Sequence, residues 1–575
     1  MRRTAQRWTL QEPDAALAAG LEQTLGVRPL LARLLVNRGW HDPAVATRVI
    51  DASLSKGLRS PMLFADMGRA AEALLRAIRQ GDRIAIYGDY DVDGISASTE
   101  LLLFLRELGC EPLLHIPNRM TDGYGLRVGG LRSLAERGAR LIVTADCGAA
   151  AHAEIAEAAR LGLEMIICDH HQNPETRPPA LAVLNPAVTD GGFPFPGLCA
   201  AGVVFYLLLG TRMVLRETGG PVPDLRRYLD LVALGTVADL VPLVEENRIL
   251  VKYGLREIAR NPRPGVHALL EVGEVAEATV DAIGFRLGPR LNASGRLADA
   301  TRAVELLACH EPQTARRLAA ELDAHNRERR GIEDATIEEA ERMIAALPDA
   351  SRRRSFVLAS EGWHPGVIGV VAARLVERHF RPVVLLAIDG DLARGSARGI
   401  PSVHLFEALR KSADLLERFG GHRLAAGLTI RADRIDALAE RLEATTMSMT
   451  TDASFVPELR IDARLELDAV CPQTLEDISK LEPYGQGNPR PLFLAERLEV
   501  TSSRVVGERH LKLGVRQRGG RKIFDAIAFR RGEERPEPGT MVDLVFTPEL
   551  SNWEGFERLQ MMVRDLRESA AVSKT

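Results

Sequence analysis

The segment IAIYGDYDVDG, residues 84–94, sets the architecture of this chain. An apolar run of strand length leads into three aspartates and a glycine, and a helical pattern begins directly afterwards. From this segment to Leu184, short apolar runs alternate with helical patterns. The alternation predicts a parallel, doubly wound α/β sheet.

Two further acidic clusters follow predicted strands of the same sheet. Asp146 ends the third strand, and the run Asp169-His170-His171 ends the fourth. One such residue alone is typical of a turn or a helix cap. Because the carboxyl ends of parallel strands form one ligand-binding edge, acidic clusters at three strand ends predict a shared site. A further acid, Asp239, lies in the apolar run LGTVADLVPL, residues 234–243.

The first cluster also fits the calcium-binding EF-hand pattern in full. The matching residues are Asp89, Asp91, Asp93, Gly94 and Glu100. The context argues against that interpretation, because an EF-hand loop follows a helix whereas this cluster follows an apolar strand. Glu100 also falls inside the predicted helix, and the sequence contains no second such loop to pair with the first.

The residue types at these strand ends favour a hard divalent cation. Several carboxylates with one or two imidazoles suit Mn²⁺ or Mg²⁺, and no thiolates are arranged to bind zinc. Cys147 and Cys168 are expected to be small buried residues beside the site. Carboxylates that hold two ions ~3.5–4 Å apart stabilise both the attacking and the leaving oxygen at phosphorus. The sequence therefore predicts metal-dependent phosphoester hydrolysis.

Composition restricts the class of protein. The 575 residues, 46% hydrophobic and 26% charged, are typical of several globular domains. Because the formal net charge is −4, binding to nucleic acid requires local basic patches. Six scattered cysteines without a CxxC pair indicate a reducing compartment, so we expect a cytoplasmic protein. We expect neither an export signal nor a membrane anchor.

Four motifs occur in order along the chain: DYDVDG, ADCG, DHH and LGTVADLVPL. Together they resemble the DHH phosphoesterase superfamily and, within it, most closely the bacterial RecJ family. Further matches extend the resemblance over nearly the whole chain, among them LGPRLNASGRL (287–297), GHRLAAG (421–427) and EPYGQGNPRPLF (482–493).

The resemblance implies an α/β fold in which a parallel-sheet DHH domain is joined by a long helix to a smaller α/β DHH-associated domain, followed by a β-barrel (OB-fold). We expect an N-terminal helical cap over residues 1–45 and the DHH catalytic domain over 46–310. The connecting long helix is expected over 311–348, the DHH-associated domain over 349–450, and the OB-fold nucleic-acid-binding domain over 455–575.

The resemblance also implies that this chain binds two ions, Mn²⁺ or Mg²⁺. One ion would be held by Asp91 and Asp146. The other would be held by Asp93, Asp146, His170 and Asp239, so that Asp146 bridges the two. Tyr87 stands where many members of the superfamily have a histidine, and Asp89 is the expected substitute ligand.

Two neighbouring residues complete the implied site. His171 would contact the phosphate or help to protonate the leaving 3′ oxygen, and Asp169 would orient both histidines. The residues expected to be catalytic are therefore Asp91, Asp93, Asp146, His170, His171 and Asp239.

The resemblance implies that residues from the DHH domain and the DHH-associated domain bind the 5′ end of a DNA strand. The expected contacts are Arg119, Arg290, Ser396, Arg398 and His422. Arginine suits this task because its planar guanidinium meets two phosphate oxygens at once, although most arginines are solvated surface charges. The loop GSARG, residues 395–399, departs from the usual sequence pattern of the family at Ala397 and Gly399.

The predicted barrel carries a basic stretch over residues 501–522. Its members are Arg504, Arg509, Lys512, Arg516, Arg518, Arg521 and Lys522, against one acid, Glu508. A solvated hairpin and an electrostatic track for single strands both account for this pattern. Because aromatic residues make up only 5% of the chain, we expect backbone contacts to dominate over base stacking.

The function implied is that of a single-stranded-DNA-specific 5′-to-3′ exonuclease that releases 5′-mononucleotides during recombination and repair. The implied partners are single-stranded DNA, single-strand-binding protein and a RecQ-type helicase, with no membrane. Two alternatives are a DHH phosphodiesterase for short oligoribonucleotides or cyclic dinucleotides, and a non-catalytic replication or repair scaffold. Greater length and a barrel argue against the first. A ligand set that is intact apart from the Tyr87 substitution argues against the second.

Overall fold

The structure is a computed structural model that describes residues 6–117, 125–171, 176–188, 192–297, 299–507, 509–553 and 556–570. Within these ranges the strands form three larger sheets and one two-stranded pair. No helix in the described ranges combines the length and the hydropathy needed to cross a membrane.

The N-terminal segment contains a strand as well as helices. Its elements are β1 (Arg7–Leu10), α1 (Ala15–Leu25), α2 (Pro29–Asn37), α3 (Pro43–Asp51) and α4 (Leu54–Gly57). Besides the expected helices, this segment contains β1, which pairs in parallel with residues 458–461 of the barrel region. Trp8 and Leu10 pack there with Leu459 and Val545, and helices α1 to α3 pack on the barrel core.

A five-stranded parallel sheet forms the centre of the first domain, as predicted. Its strands are β2 (Ile84–Gly88), β3 (Leu113–His115), β4 (Leu141–Ala145), β5 (Glu164–Cys168) and β6 (Ala182–Leu184). The strand order is β3-β2-β4-β5-β6, so the direction of winding reverses between β2 and β4. Ligands bind at such a reversal point in open α/β sheets.

Some helices of this domain cover both faces of the sheet, and the others pack against those helices. They are α5 (Met67–Gln80), α6 (Val92–Glu107), α7 (Val128–Glu136), α8 (His152–Arg160), α9 (Ala200–Glu217), α10 (Leu229–Ala238), α11 (Glu245–Arg260), α12 (Pro264–Val272), α13 (Val280–Ala282), α14 (Gly288–Leu297) and α15 (Thr301–Ala308). Ile84 and Ile86 belong to one core, and Ala85 and Tyr87 belong to another. Because successive side chains of a strand point to opposite faces, a strand covered on both sides is apolar throughout.

A single helix of 35 residues, α16 (Pro312–Ala346), connects the two α/β domains. At 1.5 Å per residue it is about 50 Å long. Pro312 occupies its first turn, and the Glu311 side chain caps the exposed amides there. Leu322 packs in the core of the first domain and Ile337 in that of the second, so both ends of the helix are anchored.

The second domain is a smaller mixed sheet with helices. Its elements are β7 (Phe356–Ser360), α17 (Ile368–His379), β8 (Val383–Asp389), β9 (Leu392–Arg398), α18 (Leu405–Arg410), β10 (Leu416–Gly421), β11 (Ala425–Arg431) and α19 (Ile435–Met449). The strand order is β10-β11-β9-β8-β7, with only β7 and β8 parallel. Helices α16 and α17 pack on one face, and α18 and α19 pack on the other.

A closed five-stranded barrel completes the described chain, as predicted. The elements of this region are β12 (Glu458–Ile461), β13 (Ala463–Arg464), α20 (Pro472–Ser479), β14 (Phe493–Val506), β15 (His510–Gln517), β16 (Phe524–Ala528), β17 (Met541–Trp553) and β18 (Phe556–Glu568). The strand order β14-β15-β16-β18-β17 closes because β14 also pairs with β17.

The segment that precedes the barrel docks on the first domain. The Leu243 amide donates to the Gln486 carbonyl at 2.7 Å. Arg248 is only 2% exposed, and its guanidinium donates to the carbonyls of Val49, Lys480 and Glu482. A buried charge satisfied by carbonyls from two separate stretches fixes these parts of the chain to α11.

Candidate metal centre

The candidate metal centre lies at the carboxyl edge of the first sheet. The loops after β2, β4 and β5 meet there with the residue that follows α10. These stretches contribute Asp89, Asp91, Asp93, Asp146, His170, His171 and Asp239. Six of the seven were expected as metal ligands, and the structure brings all of them into overlapping groups with close donor atoms.

The first group of ligand atoms comes from Asp89, Asp91 and Asp146. One carboxylate oxygen of each lies within 4.8 Å of the other two. Asp91 is the N-cap of α6, and its Oδ1 accepts from the backbone amides of Asp93 at 3.0 Å and Gly94 at 3.1 Å. A Cβ at Gly94 would lie 2.6 Å from the Asp89 carbonyl oxygen, so this tight loop requires glycine.

The second group comes from Asp93, His170 and Asp239, again with all three atoms within 4.8 Å. His170 Nε2 lies 3.7 Å from Asp93 Oδ2 and 3.5 Å from Asp239 Oδ2. The same nitrogen lies 3.2 Å from Asp146 Oδ1. Asp146 therefore borders both groups, which is the position that a ligand shared by two ions requires.

Asp146 adopts an unusual backbone conformation. Its φ of 73° is in the left-handed region, which non-glycine residues seldom occupy. Its amide donates to the Cys168 carbonyl at 3.0 Å, which ties the end of β4 to the end of β5. Residues with such strained backbone conformations are frequent at functional sites, where the surrounding structure stabilises them.

The electrostatics of the centre favour a bound cation. Burial and neighbouring carboxylates raise the pKa of Asp146 well above its ordinary value and raise the pKa of Asp239 to about 8. Burial lowers the pKa of His170, which favours the neutral, metal-binding imidazole. Asp146 Oδ1 and His170 Nε2 are buried and make no hydrogen bond to any described residue. A divalent cation would satisfy these atoms and offset the repulsion.

Backbone amides position Asp93, and sequence reasoning missed them. Asp93 Oδ2 accepts from Ala200 N at 2.6 Å, and Oδ1 accepts from Ala201 N at 2.9 Å, both in the first turn of α9. The N-terminus of a helix stabilises an anion. A Cβ at Gly235 would lie 2.6 Å from Asp93 Oδ1, so α10 also approaches this carboxylate closely. The side chains of Ala200 and Ala201 give no sign in the sequence that their amides bind Asp93.

Asp169 contacts the backbone of both histidines and the ring of His171. Its carboxylate accepts from the amides of Ala149, His170 and His171 and lies 2.8 Å from His171 Nδ1. Burial opposes its charge, but these hydrogen bonds outweigh burial and lower the pKa of Asp169. Burial likewise opposes the charge on His171, yet the Asp169 carboxylate raises the pKa of His171 to about 9. His171 is therefore protonated at neutral pH.

Tyr87 is part of the supporting core. Its ring lies 4.7 Å from the His115 ring, centroid to centroid. Its hydroxyl accepts from the Arg127 amide at 3.2 Å and is 3.4 Å from the Gly125 carbonyl. Asp89, two residues later, lies in the first ligand group. Asp89 as the substitute ligand for the missing histidine stays a prediction.

A second candidate site lies in the smaller α/β domain. Ser396 and Arg398 line a cavity of about 480 Å³ together with the glycine-rich turn before α17. A Cβ at Gly369 would lie 3.0 Å from Ser396 Oγ and 3.2 Å from the Arg398 guanidinium. The backbone of α17 therefore approaches both side chains closely, and an anion in this cavity would meet a serine hydroxyl and an arginine.

Two other residues expected to contact the substrate, Arg290 and His422, do not line this cavity. Arg290 is only 6% exposed, and its guanidinium contacts Asp323 at 2.9 Å and donates to the carbonyls of Arg286 and Val272. His422 is exposed beside the cavity, and its amide donates to the Ala425 carbonyl at 2.7 Å. Arg119 lies outside the described residues.

The basic stretch of the barrel is partly neutralised. Arg516 pairs with Glu499 at 2.8 Å, and Lys512 pairs with Asp525 at 3.2 Å. Lys522 lies over the Phe524 ring. Arg518 and Arg521 are exposed. The tip of the β15–β16 hairpin therefore offers exposed positive charge to a strand, as do Arg504 and Arg509.

Comparisons with protein families divide the chain into three matched regions. The DHH family N-terminal domain matches residues 83–236. The DHHA1 domain matches residues 354–448. The RecJ OB domain matches residues 461–565. The three regions coincide with the first sheet, the mixed sheet and the barrel.

Relatives and solved structures agree with these matches. The single-stranded-DNA-specific exonuclease RecJ of Bacillus subtilis is 35% identical and covers 99% of this chain and 71% of its own length. The one from Salmonella typhimurium is 38% identical, covering 94% of this chain and 96% of its own. The crystal structure of RecJ in complex with Mn²⁺ from Thermus thermophilus aligns with a TM-score of 0.83 at 31% identity, over 98% of this chain and 80% of that one. A Mg²⁺ complex from the same organism aligns with a TM-score of 0.77 at 30% identity, over 98% of this chain and 79% of that one.

Proposed function

We infer the function from one premise: the chain belongs to the RecJ family of single-stranded-DNA-specific exonucleases. It is a hydrolase that degrades single-stranded DNA and uses Mn²⁺ or Mg²⁺. The observation that supports this most strongly is the meeting of four distant stretches of chain around Asp146. These stretches supply hard oxygen donors and one neutral imidazole, as such ions require.

We assign the ligands from the two groups of donor atoms. Asp89, Asp91 and Asp146 would hold one ion. Asp93, His170 and Asp239 would hold the other, with Asp146 shared. When bound, the ions supply Lewis acidity toward the scissile phosphate and toward water. The chain itself fixes the donor atoms, through the α9 amides at Asp93 and the helix cap at Asp91.

His171 is assigned to the leaving group. It is protonated at neutral pH because Asp169 holds its Nδ1, and its side chain is 45% exposed. A protonated imidazole beside a scissile phosphate can stabilise negative charge and donate a proton to the departing 3′ oxygen. Asp169 acts through His171 and is a positioning residue.

The 5′ phosphate is assigned to the cavity lined by Ser396 and Arg398. A guanidinium and a hydroxyl beside closely packed glycine backbone suit a terminal phosphate dianion. A strand held there by its 5′ end and cleaved at the metal centre would release 5′-mononucleotides in the 5′-to-3′ direction. Roles for Arg119, Arg290 and His422 in this grip remain predictions.

The two alternative functions receive no specific support. The barrel that matches the RecJ OB domain gives a long strand more surface than a dinucleotide needs. The ligand set around Asp146 is intact, which disfavours a non-catalytic scaffold.

As partners we propose single-stranded DNA together with single-strand-binding protein and a RecQ-type helicase. An exonuclease restricted to single strands needs a source of unwound ends, and such proteins provide and protect them. We also propose that the protein acts in the cytoplasm during recombination and repair. All six cysteines are free, which is typical of a reducing compartment.

The function is tested by digesting an end-labelled oligonucleotide that carries a phosphate at either terminus. We expect mononucleotide release from the 5′ end with Mn²⁺ or Mg²⁺, and no release with chelator. Release from the 3′ end would contradict the assigned polarity. Cleavage that persists in chelator would contradict metal dependence. A duplex of the same sequence is the matched control and should resist digestion.

A further inference from the structure

The cavity in the smaller α/β domain extends beyond Ser396 and Arg398. A third polar side chain of strand β9, Arg394, also lines it. Because side chains at alternate positions of a strand point to the same face, Arg394, Ser396 and Arg398 form one row. The intervening Ala393 and Ala397 pack in the core on the opposite face. At about 3.3 Å per residue, the Cα atom of Arg394 lies about 7 Å from that of Ser396 and about 13 Å from that of Arg398.

Arg394 is not used by the group that Ser396 and Arg398 form. The guanidinium of Arg398 donates to Ser396 Oγ at 3.1 Å, so these two side chains converge on one point. Arg394 is exposed, and among the described residues its side chain has no carboxylate within 4.0 Å and no hydrogen-bond partner. Its guanidinium is therefore available to a ligand that reaches past Ser396.

The cavity carries positive charge along its whole length. Arginines line both ends of the row, and none of the described residues around the cavity is acidic. The first turn of α17 lines it as well, and no side chain caps the amides of that turn. The positive end of the helix dipole therefore adds to the charge of the arginines. A ligand with negative charge along the whole row is favoured over one that is charged only beside Ser396.

The cavity is also larger than one phosphate group needs. Its volume of about 480 Å³ is within the range of sites that hold a whole small molecule. The floor beside Ser396 is Gly427, its partner on the neighbouring strand β11. Apart from chain neighbours, the closest described atom to a Cβ at Gly427 would be the Gly395 carbonyl oxygen at 3.9 Å. The space above this floor is therefore open, and no side chain of Gly427 divides the cavity.

A strand with a single 5′ phosphate does not account for the Arg394 end. Its terminal phosphate is assigned to Ser396 and Arg398, and its next phosphate is assigned to the metal centre of the first domain. A base needs an aromatic surface on which to stack, and none of the described residues around the cavity is aromatic. Phosphates attached beyond the terminal one carry charge, need no stacking and extend along the row. They are therefore the groups that match Arg394.

We propose that the Arg394 end of this cavity binds the second and third phosphates of a strand that carries a 5′-diphosphate or 5′-triphosphate. The proposal rests on the assignment of the terminal 5′ phosphate to Ser396 and Arg398. It extends the substrates of the enzyme to strands with a polyphosphate at the 5′ end.

Cleavage of such a strand yields a distinctive first product. One water is consumed at the first internucleotide phosphate. The bond between that phosphorus and the 3′ oxygen of the first nucleotide breaks, and this oxygen takes a proton. The oxygen of the water stays on the phosphorus, which becomes the 5′ phosphate of the shortened strand. A 5′-triphosphorylated strand therefore releases one nucleoside 5′-triphosphate, and only mononucleotides follow.

The proposal is tested with three oligonucleotides of one sequence that carry a 5′ hydroxyl, a 5′ monophosphate or a 5′ triphosphate. We expect the full chain to degrade the triphosphate strand at least as well as the monophosphate strand and to release a nucleoside triphosphate first. Arg394→Ala should lower kcat/KM about tenfold on the triphosphate strand and less than about twofold on the monophosphate strand. Arg394→Lys should restore part of the loss. The matched control is Arg410→Ala, at an exposed arginine of α18 on the opposite face of the sheet.

The outcomes distinguish this proposal from the assignment on which it rests. Equal rates on the hydroxyl and monophosphate strands would remove the 5′-phosphate assignment and the proposal together. A chain that degrades the monophosphate strand but rejects the triphosphate strand would overturn the proposal alone. An equal loss on both phosphorylated strands in Arg394→Ala would make Arg394 a contact of the terminal phosphate and would also overturn it. So would a free nucleoside triphosphate that binds as tightly as the triphosphate strand, because the site would then serve a soluble nucleotide.

Discussion

The two α/β domains place opposite charges at comparable positions. The edge of the first sheet gathers buried carboxylates around Asp146, and their mutual repulsion requires cations. The cavity of the second domain instead presents Ser396, Arg398 and close-packed glycine backbone, which suit a phosphate. A strand with its 5′ phosphate in the second domain would thus present its next phosphates to the first. The first domain is therefore assigned to cleavage, and the second to recognition of the 5′ end of the strand.

The largest effect is expected at the bridging position of the metal centre. Asp146→Asn keeps the side-chain shape but removes the shared negative charge, so cleavage should fall at least about a thousandfold. Strand binding should change little, because the second domain and the barrel are untouched. The measurement is the single-turnover rate on a 5′-phosphorylated oligonucleotide together with its affinity.

The same variant has a stability signature that distinguishes lost chemistry from misfolding. Because burial among carboxylates disfavours the charge of Asp146, the variant in chelator should melt no lower than the unaltered protein. The exposed residue Asp433 provides the matched control, and Asp433→Asn should retain full activity. A melting temperature well below that of the unaltered protein would attribute the lost activity to unfolding.

The next effect is expected in the second domain. Arg398→Ala should lower kcat/KM on 5′-phosphorylated strands by about tenfold to a hundredfold, mainly through KM, because a charge-assisted contact to the phosphate is lost. Strands with a 5′ hydroxyl should be affected much less. The control is Arg418→Ala, at an exposed arginine of β10. An equal loss on both kinds of strand would remove the assignment of this cavity to the 5′ end.

Much of the metal centre in the first domain could be predicted from the sequence. Acidic clusters after successive parallel strands must share one edge of the sheet, so Asp91, Asp146 and His170 could be placed together before any coordinates. The amides of Ala200 and Ala201 that hold Asp93 could not, because backbone donors have no side-chain signature and lie over a hundred residues away. The burial of Arg290 likewise depends on packing against α16.

A third, smaller effect concerns the pH profile. Asp169→Asn removes the carboxylate that raises the pKa of His171 to about 9, so that pKa should fall by about one to two units. The proposed role of His171 at the leaving group requires its protonated form. The rate should therefore decline above about pH 9 in the unaltered protein, and the decline should begin at lower pH in the variant. The check is the pH dependence of the single-turnover rate. The variant His171→Gln should show no such decline at high pH.

The smallest effect is expected on the barrel. Arg518→Glu with Arg521→Glu should weaken binding of a long strand several-fold in a salt-dependent way, because both side chains are exposed. Arg516→Ala should do less, since Glu499 already neutralises that arginine. Filter binding at two salt concentrations measures both. If Arg516→Ala lowered the affinity for the strand more than the double variant does, the assignment of the hairpin tip as a strand-binding surface would be contradicted.

The central claim is that four distant stretches of the chain hold two divalent ions around Asp146. Anomalous diffraction from a crystal soaked in Mn²⁺ tests it most directly. We predict two peaks on either side of the Asp146 carboxylate, one beside Asp89 and Asp91 and the other beside His170 and Asp239. A single peak, or peaks remote from these residues, would contradict the account.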